Sequence, residues 1–243
     1  MLNKSILNIV YRMNKLITVN LSYFNQPKHV LLKHIENWKE FPLEIREKFT
    51  FFIMDDCSKK PANDLLSEED KRGIDLHIYR VKEDLVCNIA GVRNLGATEC
   101  KTPYMVILDM DTVITPIMAT SLVKLANNNK DNNIAFKFNR KGPKKNGHMH
   151  PAVCLIRKKD YWKVGGCEED LVGHYGYTDP SFWYRSRNIL KIQECRDIYL
   201  LYCPDGESVI NRDKSHNKSV MNKKIKTKTW STDFIRFNWE KVF

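Results

Sequence analysis

Residues 104–115 read YMVILDMDTVIT, an apolar run that ends in two carboxylates, Asp109 and Asp111, separated by Met110. The aliphatic and aromatic content of the first five positions marks a buried strand. At a strand's end, side chains i and i+2 point the same way, so Asp109 and Asp111 leave the sheet together while Met110 faces the opposite side. Two like charges held that close need a cation. A pair of carboxylates completed by phosphate oxygens is the hard-oxygen environment that Mg²⁺ favours and Mn²⁺ accepts. Taken alone, the same residues also describe a solvated strand-end turn in which Asp111 leads into the next helix, so the surrounding chain has to decide.

Upstream, LITVNLS at 16–22, FTFFIMD at 49–55 and DLHIYRV at 75–81 have the composition and turn-flanked lengths of buried strands. Between the first two, Val30, Leu31, His34, Ile35 and Trp38 recur at helical spacing after Pro27. Residues 88–100 place Ile89, Val92 and Gly96 on one helical face. Thr115 followed by Pro116 supplies a cap and first turn for a helix that stops at Asn127-Asn128-Asn129. This alternation predicts an α/β protein with a central, mostly parallel mixed sheet flanked by helices, its ligands gathered at the carboxyl ends of the strands. Beyond residue 129 the pattern loosens. IAFKFN at 134–139, AVCLIR at 152–157 and KIQECRDIYLLYC at 191–203 read as further strands, with RKGPKKNGHMH as a basic loop between the first two.

The 243 residues, 42% hydrophobic, suffice for one core, and no repeat or linker divides them. Forty Lys and Arg against 29 Asp and Glu leave a net charge of +11, which favours anionic partners: nucleotides, nucleic acid or acidic membrane surfaces. The clusters GPKK and KKIKTK would suit a nucleic-acid-binding protein, but no nucleic-acid-binding motif accompanies them, so no nucleic acid is expected; peripheral membrane contact fits the same charge. Seven cysteines without a CxxC pair fit a reducing compartment, and neither a leader nor a long apolar span is evident. The expected location is cytoplasmic, in the host cytoplasm should the chain be viral.

Four segments, in this order, resemble the signatures of family 2 glycosyltransferases with the GT-A nucleotide-diphospho-sugar fold, a Rossmann-like architecture, over about residues 16–188. Ser22-Tyr23 resembles the first nucleotide-binding loop, and FFIMDDCS resembles a second-strand VDDGS signature, with Cys57 where the family carries glycine. NIAGVRNLGA resembles an NxGxxxARN helix, and LDMDT the DxD motif. The resemblance implies that Ser22, Tyr23, Asp55, Asp56, Arg93, Asn94, Asp109 and Met110 bind a nucleotide sugar, with Asn94 bracing the loop, and that Asp109 and Asp111 hold Mn²⁺ or Mg²⁺. VGGCEEDLVGHYGYTDPSFWYR, at 164–185, resembles the family's acceptor-side stretch and puts Asp179 in the place of the general base, with Thr178 where an acidic residue is commoner. Asp179-Pro180 is equally a helix start.

His216, in NRDKSHNKS, matches a late histidine that reaches the metal in many such enzymes. His148 and His150 are candidates for sugar hydroxyls or the metal, and His150, Trp162, His174 and Tyr177 for the acceptor, although most aromatics of this stretch are expected in the core. The chain reads as an arm at 1–14, one domain at 15–213 with a nucleotide-binding half at 15–115 and an acceptor half at 116–213, and a basic tail at 214–243. The implied reaction is metal-dependent, inverting transfer of one sugar from a nucleotide diphosphate sugar, uridine favoured, to a hydroxyl of a glycan or lipid-linked acceptor. A catalytically silent sugar-binding relative is the alternative that Cys57 and Thr178 raise. The glycine-rich first loop of nucleotidyl transferases and the QxxRW segment of processive synthases are both missing.

Overall fold

In the computed structural model, which describes residues 15–129, 133–142, 147–204 and 210–243, the buried strand read from the opening stretch is β4 (Tyr104–Asp109). It pairs in parallel with β1 (Ile17–Tyr23), which pairs with β2 (Phe49–Asp55), which pairs with β3 (Leu76–Val81). These near-continuous apolar strands are buried on both faces, as parallel strands must be. The helices that cover them are α1 (Lys28–Lys39) and α2 (Ile89–Glu99). On α1, Val30, Leu31, His34, Ile35 and Trp38 are all buried, as their spacing predicts. Trp38 stacks on Phe51 with ring centroids 4.6 Å apart, and burying an aromatic of this kind contributes roughly 1.5–3 kcal/mol. The arm at 1–14 and most of the GPKK cluster lie outside the described residues.

The second half continues the sheet with mixed pairing. After the short β5 (Thr112–Val113), α3 (Pro116–Asn128) starts where expected, Thr115 Oγ accepting the Met118 N–H at 3.3 Å. Then β6 (Ile134–Lys141) and β7 (His148–Arg157) form an antiparallel pair, and β7 closes onto β4. The loop expected at 140–150 is shorter than read, because both strands extend into it. After α4 (Lys158–Lys163) and α5 (Thr178–Ser186), β8 (Lys191–Tyr202) runs parallel to β6. The sheet among the described residues has the order β5-β8-β6-β7-β4-β1-β2-β3-β9, the last being Trp239–Lys241.

The last strand of that order comes from the tail. β9 (Trp239–Lys241) adds antiparallel to β3 and covers that edge, and α6 (Ser215–Thr227) packs by Asn217, whose amide donates to the carbonyls of Leu171, His174 and Gly176 at 2.8–3.0 Å. The acidic run 168–170 fastens the segment between them. Glu169 accepts the Ile235 N–H at 2.9 Å, Glu168 accepts from Ser231, and Lys224 reaches Asp170 at 2.6 Å. Residues 214–243 are therefore part of the folded body where the sequence reads as a basic tail. No helix among the described residues is long and apolar enough to cross a membrane.

Candidate active site

Register brings distant positions of the chain to one edge. Ser22 of β1 lies beside Asp109 of β4 on one side and Met54 of β2 on the other, and Tyr23 lies beside Asp55. A cleft of about 370 Å³ opens at these carboxyl ends, with Ser22, Tyr23, Asp56, Arg93, Asp109, Met110, Asp111, His150, Tyr177 and Asp179 in its walls.

The two adjacent acids of FFIMDDCS divide their work. Asp55 turns inward, accepting the N–H groups of Ser58 and Ala62 at 2.8 Å and Arg80 Nη1 at 2.9 Å, so it buttresses the loop and does not face the cleft. Asp56 does face it. One oxygen accepts the Asn88 N–H at 2.8 Å, while Oδ1 is buried without a hydrogen-bond partner among the described residues, as is Ser22 Oγ. Buried polar atoms aimed into a cavity without partners are where a ligand's hydroxyls or amides belong. Burial raises the Asp56 pKa to about 6; the Asn88 hydrogen bond opposes the rise, and Asp55 and Asp84 add to it. Cys57 sits at φ +54°, the left-handed region, so the glycine of the family signature answers a backbone requirement that Cys57 meets under strain.

Arg93 organises the floor. Asn20 anchors its carbonyl at 3.0 Å, and Gly96 one turn later lets α2 lie close to β1, since a Cβ there would run into the Asn20 amide. The buried guanidinium donates through Nη2 to Asp109 Oδ1 at 2.8 Å and through Nη1 to Asp179 Oδ1 at 2.6 Å. Burial disfavours its charge, but Asp109 and Asp179 outweigh that and hold it firmly protonated. Asp179 Oδ2 makes no hydrogen bond among the described residues. The residue stands in the first turn of α5, two positions after Tyr177, a cleft residue held at φ +62°.

Ligand atoms of Asp109, Asp111 and His150 all lie within 4.8 Å of one another. The hydrogen bonds of His150 fix what its ring does there. Nδ1 accepts the N–H groups of Ala152 and Val153 at 3.1 and 3.0 Å, so the ring proton sits on Nε2, which donates to Asp111 Oδ1 at 3.0 Å. In this tautomer His150 orients a carboxylate, and direct ligation by Nε2 would require surrendering both backbone hydrogen bonds. His34, fully buried beneath, reaches the Met110 carbonyl at 3.2 Å and steadies the turn between the two acids.

Several expected site residues stand elsewhere. Asn94 is fully buried outside the cleft, its amide meeting Cys167 O, Glu169 and the Tyr161 hydroxyl at 2.5–3.0 Å, so it clamps the two halves and binds no nucleotide. Trp162 packs against Tyr161 and Phe234, both at 5.3 Å. His216, expected at the metal, is exposed and stacks on His174 with centroids 3.7 Å apart, and neither ring borders the cleft. The reason is Asn217, which pins the start of α6 on the 171–176 loop, away from the strand end. The sequence reading missed Arg140 and Arg212, both facing the cleft, with Arg140 Nε buried and without a partner among the described residues. Each lies among other basic residues of its segment, so no spacing signal sets it apart.

An acidic turn whose side chains could hold a cation thus stands beside the cleft at the carboxyl edge of this sheet, as the resemblance to GT-A glycosyltransferases implies. The sequence profile of glycosyl transferase family 2 matches residues 18–193, and the chain belongs to that family. Among solved structures it is similar in fold to S. aureus TarS 1–349 in complex with UDP-GlcNAc, at TM-score 0.63 and 14% identity over 79% of this chain and 60% of that one. Mannosyltransferase PcManGT from Pyrobaculum calidifontis, in complex with GDP-Man and Mn²⁺, gives TM-score 0.59 and 13% identity over 85% of this chain and 60% of that one. GalNAc-T7 with UDP, GalNAc and Mn²⁺ gives 0.58 and 13%, covering 77% of this chain and 44% of that one. The chain thus spans less than two thirds of the length of these structures. Comparison with curated protein sequences returns no match.

Proposed function

We propose that this glycosyltransferase moves one sugar from a UDP-linked donor to a hydroxyl of a glycan or lipid-linked acceptor, with inversion, using a divalent cation held by Asp109 and Asp111. The observation that carries the reading is the Arg93 bridge. One buried guanidinium joins the first carboxylate of the DxD pair to Asp179, setting the metal platform and a base a single side chain apart.

Asp179 keeps Oδ2 available to take the acceptor's proton, while Arg93 holds Oδ1. The acceptor oxygen then forms its bond to the anomeric carbon from the face opposite the diphosphate, and the electron pair of the breaking C–O bond leaves with the diphosphate. Mn²⁺ or Mg²⁺, when bound, neutralises charge gathering on that leaving group. Arg140 and Arg212 add positive charge to the same cleft. Asp56 Oδ1 and Ser22 Oγ supply the acceptor atoms that a nucleoside's ribose and base require. The UDP complexes of TarS and GalNAc-T7 support uridine, and the GDP-Man complex of PcManGT names the competitor to include. A panel of UDP-, GDP- and dTDP-sugars with Mn²⁺, scored by nucleoside diphosphate release, tests the reading. Release from a UDP-sugar alone is expected, and a chain inert to every donor would contradict it.

Two further outcomes follow. His150→Ala lowers Mn²⁺ affinity about 10–100-fold, the usual cost of removing the group that orients a ligating carboxylate, and raises the metal concentration needed for turnover more than it lowers kcat at saturating Mn²⁺. Electron paramagnetic resonance of free Mn²⁺ reads the affinity directly.

Asp56 makes donor binding pH-dependent. If ribose hydroxyls bind the ionised carboxylate, UDP affinity is full above pH 6 and falls by about tenfold per unit below the carboxyl's pKa, which burial places at about 6. The effect on stability has the opposite sign: a folded pKa above the ordinary 3.8 contributes stability at low pH that is lost as pH rises through about 6. Calorimetry at pH 7.5 and 5.0, with Asp56→Asn as the variant that flattens the slope, distinguishes this from general acid damage.

A further inference from the structure

Asp179 borders two cavities. The second, of about 710 Å³, shares Asp179 and Pro151 with the donor cleft and continues between α5, β6 and β8, with Lys137, Trp183, Tyr184, Arg187 and Glu194 in its walls. Its charges are unevenly matched. Asp179 is paired with Arg93, and Glu194 with Arg196 at 2.6 Å. Neither Lys137 nor Arg187 has a carboxylate within ion-pair distance among the described residues.

Lys137 is half-buried, and its Nζ lies over the Trp183 ring, 4.6 Å from the centroid. Burial depresses its pKa and the charge of Arg187 adds to that, against Cys154, Asp179 and Glu194. The Trp183 ring is itself fixed, its Nε1 donating to the Pro151 carbonyl at 2.6 Å. The carboxylates facing Lys137 and Arg187, Asp179 and Glu194, are already paired with Arg93 and Arg196, so the two cations, one of them partly desolvated, form a place where a further anionic group is stabilised. Tyr184, 38% exposed and tilted against Trp230 at 6.1 Å, supplies an aromatic face of the kind on which a sugar ring lies.

We propose that this cavity is the acceptor subsite and takes a glycan residue bearing an acidic group, a carboxylate or a phosphate, clamped by Arg187 and Lys137 while its hydroxyl reaches Asp179. The proposal rests on the glycosyltransfer reading for the role of Asp179, and it adds the acceptor's chemical class. The guanidinium fork of Arg187 matches the paired oxygens of either anion, and Lys137 adds a point charge from the other wall.

The test uses the full chain saturated with UDP and Mn²⁺, titrated by saturation-transfer NMR with matched methyl glycosides: methyl glucuronide, methyl glucoside 6-phosphate and methyl glucoside. At least one acidic member is expected to bind about tenfold more tightly than the neutral one, the scale of a charge-assisted hydrogen bond. Which acidic member prevails identifies the carboxylate or the phosphate. Arg187→Gln, at an exposed site, and Lys137→Met, which keeps the aliphatic stem on Trp183, should erase the preference, with UDP affinity in the same titration reporting an intact fold. Equal binding of acidic and neutral glycosides, or a preference that survives both substitutions, overturns the proposal. Acid preference in a chain that fails to bind UDP with Mn²⁺ would support the subsite and overturn the reading of the donor cleft.

Discussion

Alanine at both Asp109 and Asp111 is expected to lower kcat/KM by about 10³-fold or more, because a metal's several kcal/mol of charge stabilisation is worth a decade per ~1.4 kcal/mol. The loss should be one of chemistry and metal affinity, not of folding. Both carboxylates lie at the rim of the cleft, and the turn that carries them is also held by His34 on the Met110 carbonyl and by the Cys203 N–H on the Asp111 carbonyl at 2.8 Å. Arg93 keeps Asp179 as a partner when Asp109 is gone. A thermal melt beside the rate measurement separates the cases: near-unchanged unfolding with activity lost supports the metal platform, and activity that survives the double substitution removes it.

Asp179→Asn is expected to reduce transfer by about 10²–10⁴-fold, the range that a positioned base contributes, while UDP binding persists. The substitution is conservative in geometry. An asparagine carbonyl can still accept Arg93 Nη1, so the bridge to Asp109 survives, but an amide cannot take the acceptor's proton. Transfer within a few-fold of the unsubstituted chain would show that another group is the base. Single-turnover and steady-state rates together locate the loss in the chemical step.

Local signals carried much of this architecture. The strands at 49–55 and 104–109 are legible because a parallel strand buried on both faces must be apolar throughout, and α3 because Thr115 and Pro116 meet the demands of a helix start. The DxD turn was legible for the same kind of reason, since two acids at the end of an apolar run have only the sheet's edge to occupy. What was not legible depends on contacts between distant segments. β9 joins β3 across more than 150 residues, and the basic residues that hide its approach are answered by Glu168, Glu169 and Asp170, a charge complementarity visible only once the segments meet. Asn94 carries the same residue type for a structural clamp as for a ligand contact. His150 and His216 are both candidates for the expected metal, and the strand register of β7 and the Asn217 anchor, respectively, decide which one arrives. Arg140 and Arg212 reach the cleft from the ends of segments whose paths the sequence does not specify.

Asp109 and Asp111 would hold a divalent cation that neutralises charge on a bound diphosphate, and titration calorimetry of UDP with Mn²⁺ and then with excess chelator tests this most directly. Binding that is strong with Mn²⁺ and disappears on chelation, with the double alanine variant weak in both conditions, is the predicted result. UDP affinity indifferent to the chelator would contradict it.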